Sequence, residues 1–230
     1  MANIQFNEYD SPTDLDICLA REVAQALERG IRERGVASLA VSGGKTPVGM
    51  FQQLRQMDLP WDKVAITLVD DRWLPADHAD SNERLVREHL LKYRVEAARF
   101  FSLCADTPTP EGGLAAIETR LRELPQPIDV VILGMGEDGH TASLFPCAVE
   151  SQVALSTNNI STVAAINPTT APYARISLTL AAIAKAQAVF LHITGAKKRG
   201  VYEQALSEGK LPIAKVLNAA TGTRRVYWAA

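Results

Sequence analysis

The sequence predicts an α/β fold in which one mainly parallel sheet carries helices on both faces. Two observations lead to this prediction. Helical and strand patterns alternate along the whole chain, which is typical of strands joined by helical connections. Residues 128–133 are all apolar apart from one acid, as expected for a parallel strand that is covered on both faces. Because no linker or repeat interrupts the 230 residues, we expect a single domain over residues 1–230.

The first predicted element is a helix that begins near residue 11. Ser11, Pro12 and Asp14 provide an N-cap residue, a first-turn proline and an early acid. The apolar residues that follow have helical spacing and form one stripe: Leu15, Leu19, Val23, Ala26 and Leu27.

Two apolar strands follow, and each ends in a polar segment. Residues 37–41 lead into Ser42-Gly43-Gly44-Lys45, after which Thr46 and Pro47 are expected to cap a second helix. Residues 64–69 are rich in β-branched side chains and end at Asp70-Asp71-Arg72-Trp73. Asp80 and Glu83 have the spacing of a capping box and predict another helix.

The second half of the chain continues the alternation. Thr109 and Pro110 begin a helix, and the strand at 128–133 follows it after a proline-containing turn. Further strands are predicted at 176–180 and 188–194, a helix at 196–206, and a last strand at 226–228. Residues 146–175 show no clear pattern.

Composition and charge narrow the class of partner. A formal net charge of −2 argues against nucleic acid or an anionic membrane, because those need a concentrated basic surface. An anionic small molecule is still possible, since a few local cations suffice. No apolar run has the length of a membrane span, and the N-terminus lacks the features of a signal peptide. We therefore expect a cytoplasmic protein, while its oligomeric state stays open.

Neither a metal nor another cofactor is predicted. Cys18, Cys104 and Cys147 are odd in number and far apart, which indicates reduced thiols rather than a disulfide framework or a zinc site. No two histidines have metal-ligand spacing. No Gly-x-Ser-x-Gly nucleophile elbow is present, so a serine hydrolase is not indicated.

Two glycine patterns resemble nucleotide-binding motifs without meeting their requirements. Gly44-Lys45-Thr46 could end a P-loop, but Leu39 stands where that motif needs its first glycine. Gly134, Gly136 and Gly139 satisfy G-x-G-x-x-G after a strand. A dinucleotide site would need a helix and a second strand next, whereas His140 follows at once and Pro146 soon after.

Three other segments could bind an anion. In Ser42-Gly43-Gly44 the glycines let backbone N–H groups turn toward a phosphate at the start of a helix, although a tight turn without a ligand fits the same residues. Arg72 could contact a phosphate beside Asp70 and Asp71, unless this segment is only a solvated charged turn. Lys197-Lys198-Arg199 opens a helix with basic residues, which oppose the helix dipole unless an anion compensates them; a solvated basic face is the alternative.

His140 is the best candidate for proton transfer. It follows an apolar strand within a glycine-rich turn, and Asp138 lies two residues before it. The alternative is a turn in which the imidazole only satisfies a backbone group. His192 lies in an apolar strand and is expected to belong to the core, while His78 and His89 lie in a polar loop and on a helix.

Taken together, these segments resemble the 6-phosphogluconolactonase family along nearly the whole chain. The resemblance rests on Ser42-Gly43-Gly44, Asp70-Asp71-Arg72, Ser81-Asn82, the run from Gly134 to Pro146, residues 175–180 and Gly195-Ala196-Lys197-Lys198. It implies a Rossmann-like three-layer α/β/α fold. It also implies hydrolysis of 6-phospho-D-glucono-1,5-lactone to 6-phosphogluconate, the second step of the oxidative pentose phosphate pathway.

The resemblance also implies roles for individual residues. His140 would be the base that activates water, with Asp138 as its orienter. The phosphate would be held by Ser42, Gly43, Gly44, Arg72 and Lys198, and the pocket would be lined by Asp70, Asp71 and Arg175. The family more often has Glu at position 71 and Gly at position 147, which leaves the role of Asp71 open.

Two other functions are considered beside the lactonase. Glucosamine-6-phosphate deaminases of the same superfamily place a glutamate five residues beyond the histidine, where this chain has Phe145. An apolar ring cannot relay a proton, so the deaminase would lack an essential group. A non-catalytic sugar-phosphate sensor would need an output module, and no helix-turn-helix or spare domain is evident in the sequence.

Overall fold

The structure, a computed structural model, describes residues 4–230. Within this range ten strands form two sheets. The strands are β1 (Gln5–Tyr9), β2 (Ala37–Val41), β3 (Val64–Leu68), β4 (Asp70–Arg72), β5 (Arg99–Phe101), β6 (Val130–Leu133), β7 (Val163–Ile166), β8 (Arg175–Leu178), β9 (Ala188–Thr194) and β10 (Thr223–Ala229).

Eight α-helices lie between the strands in the same range. They are α1 (Pro12–Arg34), α2 (Val48–Leu54), α3 (Asn82–His89), α4 (Pro110–Leu121), α5 (Ser151–Ala154), α6 (Leu180–Ala184), α7 (Ala196–Glu208) and α8 (Pro212–Ala219). Two short 3-10 helices occupy Trp61–Lys63 and Tyr93–Ala97.

The larger sheet has the order β1-β10-β9-β6-β2-β3-β5, and each neighbouring pair in it is parallel. Helices flank it on both faces, so the predicted three-layer α/β/α fold is confirmed. All residues of β2, β3 and β6 are buried, as expected for strands covered on both faces. From β2 the chain first adds β3 and β5 on one side and later adds β6, β9 and β10 on the other. Ligands of such sheets bind at this reversal point, beyond the carboxyl ends of the strands.

The smaller sheet was not predicted as a separate sheet. It has the order β4-β8-β7 and is antiparallel. The solvated charged turn considered at Asp70-Asp71-Arg72 is wrong, because these residues form β4 and both acids are buried. The strand predicted at 176–180 runs instead from Arg175 to Leu178, since Thr179 caps α6 by accepting the N–H of Ala182 at 3.2 Å.

The helix starts were predicted with mixed success. Ser11 caps α1 and Thr109 caps α4, as expected from their sequence positions. For α3 the N-cap is Ser81, so the capping box assigned to Asp80 and Glu83 is displaced by one residue. For α2 the cap position is Pro47 and no side chain caps the helix, so the capping role expected of Thr46 is also wrong.

The strands β1, β5 and β7 and the helices α5, α6 and α8 were not predicted. β1 and β7 lie at sheet edges, β1 has no buried residue, and α5 has only four residues. The thiols of Cys18, Cys104 and Cys147 are unpaired. In residues 4–230 no helix combines the length and the apolar character that crossing a bilayer requires.

Candidate active site

A cavity of about 270 Å³ opens beyond the carboxyl ends of β2, β6 and β9. The loops after these strands form its wall together with β4 and β8 of the smaller sheet. Most of the predicted site residues line it: Ser42, Gly43, Gly44, Asp70, Arg72, His140, Arg175 and Lys198. Segments separated by more than 100 residues in sequence therefore meet at the reversal point of the sheet.

The loop after β6 places His140 at the cavity. Its Nδ1 atom lies 2.5 Å from Oδ1 of Asp138, and the same oxygen accepts the His140 backbone N–H at 3.1 Å. Asp138 itself does not line the cavity. With Nδ1 held by the carboxylate, Nε2 makes no hydrogen bond to any residue that the structure describes. A partly exposed imidazole with one fixed and one free nitrogen can accept a proton from a ligand or a water molecule.

Gly136 leaves the space that the imidazole occupies. A Cβ added at this position would lie 2.2 Å from both Nδ1 and Cε1 of His140. The same atom would lie 2.7 Å from Oδ1 of Asp138. The close approach of the ring to the backbone therefore explains why the turn needs glycine here.

Phe145 supports the imidazole from one side. The two rings stack with centroids 4.0 Å apart and planes inclined by 25°. Phe145 is buried, and the guanidinium carbon of Arg175 lies 5.2 Å from its ring centroid. Sequence reasoning identified Phe145 only as the residue that replaces the deaminase glutamate. Its contact with His140 could not be read from an apolar residue in a turn.

Arg72 and Arg175 lie opposite each other where β4 pairs with β8. Burial lowers the pKa of Arg175 against the effect of Asp70, and the like charge of Arg72 adds to the lowering. Both Nε atoms are buried without a hydrogen-bond partner in the described residues. Each guanidinium also donates to a backbone oxygen, Arg72 to Asp80 and Arg175 to Pro172. Two cations with unsatisfied donors at one cavity can bind an anion.

Lys198 adds a third cation to the cavity wall. Its neighbours in the first turn of α7 are engaged elsewhere: Lys197 with Glu137, and Arg199 with Glu8 and Glu203. Lys198 forms no ion pair within residues 4–230, and burial lowers its pKa. Of the three basic residues that the sequence analysis considered together, this one faces the cavity.

The loop after β2 approaches the N-terminus of α3. A Cβ added at Gly43 would lie 1.9 Å from Oδ1 of Asn82, so only glycine fits against this side chain. Asn82 also lines the cavity, and its amide donates to the backbone oxygen of Asp70 at 2.9 Å. This residue was quoted in the family resemblance but was not predicted as a site residue.

The two acids of β4 have different surroundings. Asp70 lines the cavity and accepts the hydroxyl of Ser143 at 2.5 Å. Asp71 does not line it. The Asp71 carboxylate accepts the N–H groups of Asn82 and Glu83 at 2.6 and 2.9 Å and the hydroxyl of Ser81 at 3.1 Å. Burial raises its pKa to about 6, against the effect of the N–H donors. Asp71 thus anchors the start of α3 and supports the cavity from behind.

His192 is buried, as expected, yet it also lines the cavity. Its Nε2 atom lies 3.5 Å from Oδ1 of Asp16 on α1. Sequence reasoning missed this position because a histidine in an apolar strand has the pattern of a core residue. The signal available was its place near the end of β9, where neighbouring parallel strands end in site residues.

No group of three or more His, Cys, Asp or Glu side chains within residues 4–230 could hold a metal ion. The charged and titratable side chains that line the cavity are two imidazoles, one carboxylate and four cations: His140, His192, Asp70, Lys45, Arg72, Arg175 and Lys198. Such a set can bind an anionic ligand and transfer a proton near it.

The chain is similar to known proteins along nearly its whole length. A family model described as glucosamine-6-phosphate isomerases/6-phosphogluconolactonase matches residues 10–228. A 6-phosphogluconolactonase of Mesorhizobium japonicum is 42% identical over 229 residues, which cover 99% of this chain and 96% of that protein. One of Neisseria meningitidis serogroup A is 42% identical, with coverage of 97% and 98%.

Solved structures give the same result. A 6-phosphogluconolactonase from Shewanella baltica superposes with a TM-score of 0.94 at 43% identity, covering 99% of this chain and 98% of that one. The enzyme from Trypanosoma brucei gives a TM-score of 0.86 at 26% identity, with coverage of 100% and 97%. A monomeric glucosamine-6-phosphate deaminase has a TM-score of 0.78 at 18% identity, which shows a shared fold alone.

Proposed function

This chain belongs to the glucosamine-6-phosphate isomerase/6-phosphogluconolactonase family, and we propose that it hydrolyses 6-phospho-D-glucono-1,5-lactone to 6-phospho-D-gluconate with His140 as the base. The lactonase reaction is the activity named for its relatives across the full length of the chain. In that role it catalyses the second step of the oxidative pentose phosphate pathway.

The main support for this mechanism is that the cavity contains two kinds of group, an imidazole that can accept a proton and cations that can bind a phosphate. His140, with its free Nε2, belongs to the loop after β6. Arg72, Arg175 and Lys198 supply three of the four cations that line the same cavity, and Lys45 is the fourth. A substrate with a phosphate at one end and an electrophilic carbonyl at the other matches this division. Its dianion binds the cations, and the lactone ring then extends toward His140.

Phosphate binding contributes to catalysis through orientation. The phosphate does not take part in the bond changes, so its binding energy can hold the ring with the carbonyl carbon near the imidazole. Orientation of this kind is worth several kcal/mol of barrier in comparable reactions. Asn82 and the Ser42-Gly43-Gly44 loop provide neutral hydrogen-bonding groups beside the cations.

The chemical step needs one base and no covalent enzyme intermediate. A water molecule attacks the carbonyl carbon, C1, and gives its proton to Nε2 of His140 as the tetrahedral oxyanion forms. Asp138 stabilises the imidazolium through Nδ1 and keeps the ring in the tautomer whose Nε2 can accept. The ring oxygen then leaves C1, and Nε2 returns the proton to it. General base assistance of this kind contributes about 10² to 10⁴ in rate.

The deaminase reaction is the less suitable candidate. Ring opening of an amino sugar phosphate needs a second proton-transfer group, and the deaminase position for it holds Phe145. This side chain is buried and stacked on His140, so an apolar ring occupies the place of the carboxylate.

The test is a coupled assay on freshly generated lactone. Purified protein receives 6-phosphogluconolactone made in place from glucose 6-phosphate, and acid release is measured against the spontaneous rate. We expect a large acceleration with the wild type and almost none with His140→Ala prepared in parallel, which controls for contaminating lactonase. In a second vessel glucosamine 6-phosphate should release no ammonia. Ammonia release, or lactone hydrolysis at the spontaneous rate, would reject the proposal.

A further inference from the structure

Each arginine of the β4–β8 pair is bonded to a loop next to its own strand. Arg72 donates to the backbone oxygen of Asp80, eight residues further along the chain. Arg175 donates to the backbone oxygen of Pro172 at 3.2 Å, three residues before it. Both arginines line the cavity, whereas Asp80 and Pro172 do not. The position of each cation therefore depends on the conformation of a loop outside the cavity.

A side-chain contact joins these two loops. The hydroxyl of Tyr173 donates to Oδ2 of Asp80 at 3.0 Å. The rings of Tyr173 and His78 also meet edge to face, with centroids 6.0 Å apart and planes inclined by 72°. His78 belongs to the same loop as Asp80, and its Nδ1 atom accepts the Asp80 backbone N–H at 3.1 Å. Tyr173 is thus held against the loop that follows β4.

The backbone of Tyr173 indicates that this contact is constrained. Its φ of +68° lies in the left-handed region, which glycine adopts readily and bulky residues avoid. Such a conformation persists only where the surrounding structure holds it. Tyr173 is 41% exposed, so burial contributes little to holding it. The contacts with Asp80 and His78 are the interactions that fix its side chain.

Arg72 and Arg175 need a constraint because they repel each other. They lie at directly opposed positions of β4 and β8, where like charges are destabilising. A bound anion offsets this repulsion, but it binds best when both cations already have the spacing that it requires. A link between the two loops supplies that spacing in advance and so reduces the cost of binding.

We propose that Tyr173 and Asp80 are positioning residues, whose contact holds Arg72 and Arg175 at the spacing that the substrate phosphate requires. This inference rests on the proposed function and adds to its phosphate subsite two residues that do not touch the substrate. Asp80 acts on Arg72 through its own backbone oxygen. Tyr173 acts on Arg175 through the neighbouring Pro172, whose oxygen accepts the guanidinium.

Tyr173→Phe removes the hydroxyl without changing a charge. We expect the dissociation constant of 6-phosphogluconate and KM for the lactone to rise about threefold to tenfold, with kcat changed less than about twofold. Tyr93→Phe is the matched control. Tyr93 also has a positive φ, it lies outside the cavity, and its hydroxyl forms no hydrogen bond within residues 4–230. Both constants should stay at the wild-type values in this control.

Two substitutions of Asp80 test the other side of the contact. Asp80→Ala and Asp80→Asn both remove the carboxylate charge, so the difference between them reports the hydrogen bond alone. The amide oxygen of Asp80→Asn can still accept the Tyr173 hydroxyl. We therefore expect Asp80→Ala to bind 6-phosphogluconate about threefold or more weakly than Asp80→Asn.

A second background separates positioning from general support of the loops. Spacing between two cations has no meaning once one of them is removed, so in an Arg72→Ala protein the loss caused by Tyr173→Phe should shrink to less than about twofold. Calorimetry measures each dissociation constant apart from turnover. Unchanged affinity in Tyr173→Phe, or an equal loss in both backgrounds, would overturn the proposal. A wild type that binds 6-phosphogluconate without hydrolysing the lactone would reject the proposed function alone.

Discussion

The Nδ1 atom of His140 lies 2.5 Å from Oδ1 of Asp138, and this one oxygen also accepts the backbone N–H of His140. The carboxylate therefore fixes both the position of the loop and the orientation of the ring. Because the bond uses Nδ1, the nitrogen left for chemistry is Nε2. Because Asp138 does not line the cavity, we expect it to position His140 rather than to touch the substrate.

Asp138→Asn tests this positioning. The amide can offer an N–H to Nδ1, which would place the ring proton on Nε2 and leave no basic nitrogen toward the substrate. We expect kcat to fall by about 10² or more while KM changes little, because the phosphate contacts stay in place. Steady-state kinetics on the lactone give both constants. Full activity in Asp138→Asn would contradict the tautomer argument.

Gly136→Ala tests the space beside the imidazole. The added Cβ would overlap Nδ1 and Cε1 of His140, so the ring must move away from Asp138. We expect kcat to fall at least tenfold. Gly200→Ala is the matched control, since a Cβ there meets nothing within 4 Å. It lies inside α7 and should keep full activity while stabilising the protein by up to about 1 kcal/mol. Equal activity in the two variants would show that the turn tolerates a side chain.

Lys198→Ala and Lys197→Ala form a matched pair in the first turn of α7. Lys198 lines the cavity without an ion pair in the described residues, whereas Lys197 pairs with Glu137. Removing a cation that meets a phosphate costs about 1.5 to 3 kcal/mol, so Lys198→Ala should raise KM about tenfold to a hundredfold. Lys197→Ala removes an exposed pair worth at most about 1 kcal/mol and should leave KM unchanged. A larger rise of KM in Lys197→Ala than in Lys198→Ala would show that the phosphate binds at another part of the cavity wall.

Much of this site could be predicted because its residues follow strands. Ser42-Gly43-Gly44, His140 and Lys198 each come shortly after an apolar run, and parallel strands bring their carboxyl ends together. The glycines marked turns in which the backbone approaches a neighbour closely. Local pattern and topology were sufficient for these residues.

The roles of the other site residues depend on contacts with parts of the chain that are not adjacent in sequence. Arg72 meets Arg175 because β4 pairs with β8 across about 100 residues, and no local pattern reports such a pairing. The family resemblance implied that Asp71 lines the substrate pocket. In the structure its carboxylate instead accepts hydrogen bonds from the start of α3, from residues 11 and 12 positions further along the chain. Phe145 and His192 have the surroundings of core residues in sequence, and only the packed structure shows that one supports the imidazole and the other reaches the cavity.

The Asp16–His192 pair predicts an unusual pH dependence of stability. The raised pKa of Asp16 gives stability that is present below about pH 4 and lost as the pH rises through about 6. The lowered pKa of His192 gives stability that is present above about pH 6.5 and lost as the pH falls through about 4. Between these limits the two contributions oppose each other in the wild-type protein.

Single substitutions should separate the two contributions. Compared with the wild type, His192→Asn should make the free energy of unfolding fall with rising pH, by about 1 to 3 kcal/mol between about pH 4 and 6. Asp16→Asn should change the slope in the opposite direction by a similar amount. Urea denaturation at several pH values measures both slopes. If the two variants change the slope in the same direction, the charge states assigned to the pair are wrong.

The central claim is that the free nitrogen of His140 takes the proton of the attacking water, and His140→Ala tests it most directly. The measurement compares kcat/KM on freshly generated lactone with the dissociation constant of 6-phosphogluconate in the same preparation. The account predicts that kcat/KM falls by about 10² to 10⁴ while the dissociation constant stays within about twofold of the wild type. A variant that still hydrolyses the lactone at the wild-type rate would contradict it.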